Sequence, residues 1–173
     1  MKVGIIGLGT VGEGVLKVLT LEKENIKIKS NCELEVKYAC DLNIDRQFSF
    51  DFDKNILITD YNKIINDPEV DIVIELIGGE TLAKTIILDA FRAKKNVVTA
   101  NKALIAKHGV ELFQVAKENN VAFLFEAAVG GGIPIITPLI ESLVANTVTE
   151  IQGIMNGTSN YILTRMKEDK LEF

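Results

Sequence analysis

The chain has 173 residues, 47% hydrophobic and 25% charged, a globular composition that excludes intrinsic disorder and needs no disulfide or metal staple at this length. Nineteen basic against twenty-four acidic residues leave a formal net charge of −5, which argues against a sequence-independent nucleic-acid binder. Two cysteines, Cys32 and Cys40, and one histidine, His108, cannot build a metal cluster.

The first seven residues carry glycines where a signal peptide has a long apolar stretch, and no run approaches eighteen apolar residues. The expectation is a soluble, cytoplasmic protein with reduced thiols. Residues 3–6 read as a buried strand, and residues 11–23 as a helix with Val15, Leu16, Val18 and Leu19 on its apolar side. Strands are expected at residues 35–40 and 56–58, then a short helix over 61–66 with Asp60 at its cap and Pro68 as its stop. A fourth strand covers 70–76, and apolar residues at 82, 83, 86, 87, 90 and 91 predict a helix over 81–94. Residues 96–99 and 121–125 complete six strands, separated by a helix over 110–118.

Such alternation, with nearly continuous apolar strands, predicts an α/β fold: a doubly wound, Rossmann-type parallel sheet covered on both faces. Beyond about residue 126 the pattern changes. Residues 127–134 are glycine-rich, 135–146 look helical, 148–155 alternate like a half-exposed strand, and 156–166 begin another helix. This tail is too short to bury a core of its own. The expected division is residues 1–134 as a dinucleotide-binding domain and residues 135–173 as the opening of a second, α+β domain.

Gly7-Leu8-Gly9-Thr10-Val11-Gly12 fits G-x-G-x-x-G between a strand and an amphipathic helix. In that motif the first glycine turns tightly, the second admits a pyrophosphate, and the third lets helix and strand pack closely. Amides at the helix N-terminus then hold the anion. Glycines in a tight turn can also be purely structural. Asp41, 29 residues beyond Gly12, ends the second strand. A carboxylate there accepts from a ribose 2′-hydroxyl and favours NAD over NADP; alternatively, Asp41 only caps a turn with Asn43.

Gly78 and Gly79 end the fourth strand, as a close approach to ligand or as a plain loop. Lys102 follows the fifth strand and can face substrate, cofactor or solvent alone. His108, before Gly109, reads as a helix C-terminal or loop residue. Glu75 lies near the end of an apolar strand and needs a partner that the sequence does not name. Glu126 followed by Gly130-Gly131-Gly132 offers oxygen ligands suited to a hard cation, although a hinge also uses glycines and is the reading preferred on the residues alone. Asn156-Gly157-Thr158 matches a glycosylation acceptor by accident.

Five stretches together resemble homoserine dehydrogenase: residues 3–12, 71–79, 97–104, 126–134 and 153–163. The last two are more specific than the glycine fingerprint, and the five span nearly the whole chain. The resemblance implies NAD(P)-dependent interconversion of L-aspartate 4-semialdehyde and L-homoserine, on the route to threonine, isoleucine and methionine. It implies cofactor contacts at Gly7, Gly9, Thr10, Val11, Gly12, Gly78 and Gly79, with Lys102 beside nicotinamide and substrate. It places Gly157 and Thr158 at the homoserine pocket, and Glu126 with the carbonyls of Val129, Gly131 and Ile133 at a monovalent-cation, sodium-type site, which overrides the hinge. It also implies a homodimeric full-length enzyme.

Two departures matter. Many family members carry arginine just before the aspartate, suited to a 2′-phosphate, where this chain has Cys40-Asp41, so the expected preference is NAD. The family continues with a Gly-Tyr-Ala-Glu segment, an aspartate and a lysine that serve substrate binding and proton transfer; the catalytic residues are therefore expected beyond Phe173. The expectation is a chain that binds cofactor but lacks turnover by itself. The other reading is a stand-alone dinucleotide-binding or sensing module.

Overall fold

A computed structural model describes residues 1–153 and 156–172. Six parallel strands form one sheet: β1 (Lys2–Ile6), β2 (Glu35–Cys40), β3 (Leu57–Ile58), β4 (Ile72–Glu75), β5 (Asn96–Thr99) and β6 (Phe123–Leu124). Their order, β3-β2-β1-β4-β5-β6, is that of a doubly wound dinucleotide-binding sheet, as expected. The helices in chain order are α1 (Thr10–Leu21), α2 (Lys23–Ser30), α3 (Asn62–Asn66), α4 (Thr81–Arg92), α5 (Lys102–Asn119), α6 (Glu126–Val129) and α7 (Gly157–Glu168).

Period-two alternation divides the strands between two cores. Ile6, Val73 and Val97 join Ile86, Ile87, Phe91 and Leu112 of α4 and α5 on one face. Val3 and Ile5 join Leu16 of α1 on the other, where Phe48, Phe50 and Phe52 of the β2–β3 loop close the layer. Each fully buried Leu, Ile or Phe contributes roughly 1.5–3 kcal/mol.

The structure corrects four expectations and adds a helix. The added helix is α2, which lies in the polar stretch 22–31 and has no buried residue. The helix expected over 110–118 starts at Lys102, because Asn101 caps it through Leu104 N (3.1 Å). His108 consequently lies inside α5 rather than at a terminus. Residues 135–146 form only a short helical start and a π-helical turn, Pro138–Ser142. Of the strand expected over 148–155, residues 148–153 are exposed and unpaired, and 154–155 lie outside the described residues. Alternation makes a strand only where a neighbour supplies the ladder.

Candidate dinucleotide-binding site

Register brings the strand ends to one level. Ile6 of β1 pairs with Cys40 and with Glu75, and Glu75 pairs with Thr99. The residues that follow these ends therefore line a common crevice of about 640 Å³, walled by Gly7, Gly9, Asp41, Tyr61, Ile77 and Gly78. A smaller crevice continues past Val11 and Gly78 to Ala100, Asn101 and Lys102. Both open at the carboxyl edge of the sheet, where ligands of this architecture bind.

The three glycines of the turn are not equivalent. Gly7 has φ +97°, and a Cβ there would lie 2.6 Å from the Leu76 carbonyl carbon. A Cβ on Gly12 would overlap the Gly7 carbonyl oxygen. Gly9 has nothing within 4 Å, so its surface is free for a ligand to approach. The amides of Thr10, Val11 and Gly12 open α1 and, as in any helix start, lack intrahelical acceptors.

Asp41 caps the turn with Asn43, one of its two readings, and also ties back to the glycine turn. Its Oδ2 accepts from Leu8 N (2.6 Å), inside the glycine turn, and its Oδ1 accepts from Asn43 N (3.0 Å). Glu75 is fully buried, and its partners are now named: Thr99 Oγ1 donates to Oε2 (2.7 Å) and Ile77 N to Oε1 (2.9 Å). Burial is the main influence and raises its pKa above the ordinary carboxylate value. Gly78 and Gly79 follow with positive φ, and Asn101 Nδ2 donates to Gly79 O at 2.6 Å. This bond joins the β4 and β5 ends of the crevice, with exposed Lys102 opening α5 beside it.

Glu126 grips the segment that follows the glycine run. Its Oε1 accepts from Ile135 N (2.5 Å) and Ile136 N (2.8 Å), and its Oε2 from Thr137 N (2.9 Å) and Thr137 Oγ1 (2.8 Å). These amides hold its pKa down at about 2. Four donors occupy the lone pairs of the carboxylate. Glu126 thus braces the loop that follows the glycine run. Gly157 and Thr158 start α7, capped by Asn156 through Ser159 N (3.0 Å), and line neither crevice.

Sequence reasoning missed Thr59, Tyr61, Leu82 and Ile86 in the crevice wall, and Arg46 beside the glycine turn. Ile86 was legible only as core, and Arg46 carries no local motif.

This fold, with a glycine turn feeding α1 at the crevice, defines a dinucleotide-binding class of domain. Comparison with known proteins narrows the class. The family profile "Homoserine dehydrogenase, NAD binding domain" matches residues 7–126, and the profile "Homoserine dehydrogenase" matches residues 134–173. The chain belongs to the homoserine dehydrogenase family. It is 43% identical over 170 residues to a homoserine dehydrogenase of Bacillus subtilis, covering 98% of this chain and 39% of that protein. Identity to that of Pseudomonas aeruginosa is 45% over 168 residues, 97% of this chain and 38% of the other. A crystal structure of a homoserine dehydrogenase from Thiobacillus denitrificans superposes with TM-score 0.87 at 43% identity, covering 99% of this chain and 39% of that one. The chain thus spans about two fifths of the length of these relatives. Among the described residues, no helix is long and apolar enough to cross a membrane.

Proposed function

We propose that this chain provides the cofactor-binding part of an enzyme that interconverts L-aspartate 4-semialdehyde and L-homoserine with NAD(P). The observation that carries the reading is the convergence of the glycine turn, Asp41 and the Gly78-Gly79 corner on one crevice at the carboxyl edge of a parallel sheet. In this reading Gly7 and Gly12 shape the turn, Gly9 leaves room for a pyrophosphate, and the amides of Thr10 and Val11 hold it. The nicotinamide supplies hydride transfer when bound. Asp41 faces the adenosine ribose and favours NAD, since a 2′-phosphate meets its negative charge. Lys102 lies toward the nicotinamide and substrate, and Gly157 and Thr158 belong to the homoserine pocket.

The division at residue 134 belongs to the same proposal: residues 1–134 bind cofactor, and 135–173 open the catalytic and dimerisation domain. The oxygen-only set at Val129, Gly131 and Ile133, braced by Glu126, suits a monovalent cation such as sodium. A homodimer fits the exposed apolar side chains Ile140, Val144, Tyr161 and Leu163. The acidic balance fits a small-molecule substrate in the cytoplasm rather than nucleic acid. The test is NADH oxidation by the protein at its native length with aspartate 4-semialdehyde. Turnover of that aldehyde is expected; cofactor binding without turnover of it would overturn the reading in favour of a sensing module. NADPH binding at least about tenfold tighter than NADH would overturn the role given to Asp41.

A further inference from the structure

A relay of hydrogen bonds ties the end of β4 to the start of α5. Glu75, fully buried, accepts from Ile77 N on Oε1 (2.9 Å) and from Thr99 Oγ1 on Oε2 (2.7 Å). The same Thr99 hydroxyl oxygen accepts from Asn101 N (3.0 Å). The Asn101 side chain then divides. Its Oδ1 accepts from Leu104 N (3.1 Å) in the first turn of α5, and its Nδ2 donates to Gly79 O (2.6 Å). A backbone N–H only donates and a carbonyl only accepts, so a single orientation of the Asn101 amide serves both. The relay runs from the core to the surface: Thr99 is 1% exposed, whereas Gly78, Gly79 and Lys102 are exposed. Gly78 and Gly79 both have positive φ, and glycine loses the most freedom of any residue when fixed, so this corner needs a hold. The smaller crevice lies between the two ends of the relay, lined by Val11, Gly78, Asn101 and Lys102.

We propose that Asn101 is a positioning residue for the nicotinamide end of the dinucleotide, fixing the gap between the Gly78-Gly79 corner and Lys102, with Thr99 and Glu75 as its buried anchor. The proposal rests on the cofactor placement given above and assigns a role to three residues that it leaves out. A helix cap needs only the bond to Oδ1, and a buried carboxylate needs only donors around it. The bond from Nδ2 to Gly79 O serves neither purpose; it couples the corner after β4 to the helix that carries Lys102. Without it the corner moves independently of α5, and the crevice between them has no fixed width. The adenosine end, placed at Asp41, shares no residue with this relay.

The experiment is calorimetric titration of NADH and of ADP-ribose, which lacks the nicotinamide, into the unsubstituted chain and Asn101→Ser. Serine caps a helix about as well as asparagine but is too short to reach Gly79 O. Asn101→Ser is expected to lower NADH affinity about tenfold and to leave ADP-ribose affinity within about threefold, with a thermal melt near that of the unsubstituted chain. A general loosening of the fold lowers both affinities together. Thr99→Val, which removes the hydroxyl, is expected to show the same selective loss, and Thr99→Ser, which keeps it, the unsubstituted ratio. Equal losses of both ligands in Asn101→Ser, or an NADH-to-ADP-ribose ratio unchanged within about threefold, would overturn the proposal. Equal affinity for the two ligands in the unsubstituted chain would overturn it as well, and an unchanged ratio in Thr99→Val would overturn the anchor. If neither ligand binds the unsubstituted chain, the dinucleotide reading itself fails.

Discussion

Residues 1–129 and residues 130–172 use the same amino-acid vocabulary to different ends. In the first region the apolar faces of strands and helices meet in two cores, and Glu75, Lys95 and Thr99 are buried with partners. In the second, α7 buries none of its described residues, and Tyr161, Ile162 and Leu163 are 43–66% exposed. The two-residue β6 forms because β5 is adjacent, whereas the alternating residues 148–153 pair with no strand among the described residues. Local pattern proposes an element, and a packing partner decides it.

The largest expected effect lies where the first region is tightest. Gly12→Val pushes a side chain into the Gly7 carbonyl and should cost about 3 kcal/mol, read as a lowered urea midpoint. An unchanged midpoint would show that α1 and β1 are not in close contact. Glu75→Ala leaves the Ile77 amide without its acceptor and should cost about 2 kcal/mol.

Glu75 also gives a pH signature. Its folded pKa lies above the ordinary value, so the unfolded chain ionises first as pH rises. Stability relative to Glu75→Gln is therefore full at low pH and lost between about 4.5 and the raised folded value. Chemical denaturation of both proteins from pH 4 to 8 checks this; parallel curves would contradict it.

Glu126 has the opposite sign. Its amide partners depress its pKa to about 2, so its contribution is complete above the ordinary 4.5 and lost as pH falls toward 2. Carboxyl-carbon NMR should place its midpoint near the lower value. A midpoint near 4.5 would mean that the Ile135–Thr137 amides do not hold it. The smallest effect belongs to the second region: Leu163→Ala should change stability of this chain by about 0.5 kcal/mol or less, by thermal melting. A loss above about 2 kcal/mol would reveal packing of α7 that the exposed side chain does not make.

The sheet was legible because buried parallel strands write continuous apolar runs, and the glycine turn because its spacing is local. Helix α2 was not, since Lys23–Ser30 buries no stripe, and the first turns of α5 were read as loop because Asn101 was not recognised as a cap. Contacts across the fold leave no local trace. Asp41 meets Leu8 across 33 residues, Thr99 meets Glu75 across 24, and Arg46 meets Leu8 across 38. Sequence named Asn43 as a turn partner for Asp41, whereas Glu75 was only identified as needing a partner, which the fold supplied.

In the proposed function the crevice at the carboxyl ends of β1 and β4 is the dinucleotide site, with Gly9 as the point of closest approach. Gly9 differs from Gly12 in having open space where a side chain would go. Calorimetric titration of NADH into Gly9→Val, with a thermal melt of the same sample, tests the claim directly. The predicted result is a near-unchanged melt with NADH affinity reduced about tenfold or more. Unchanged affinity in the folded variant would contradict it.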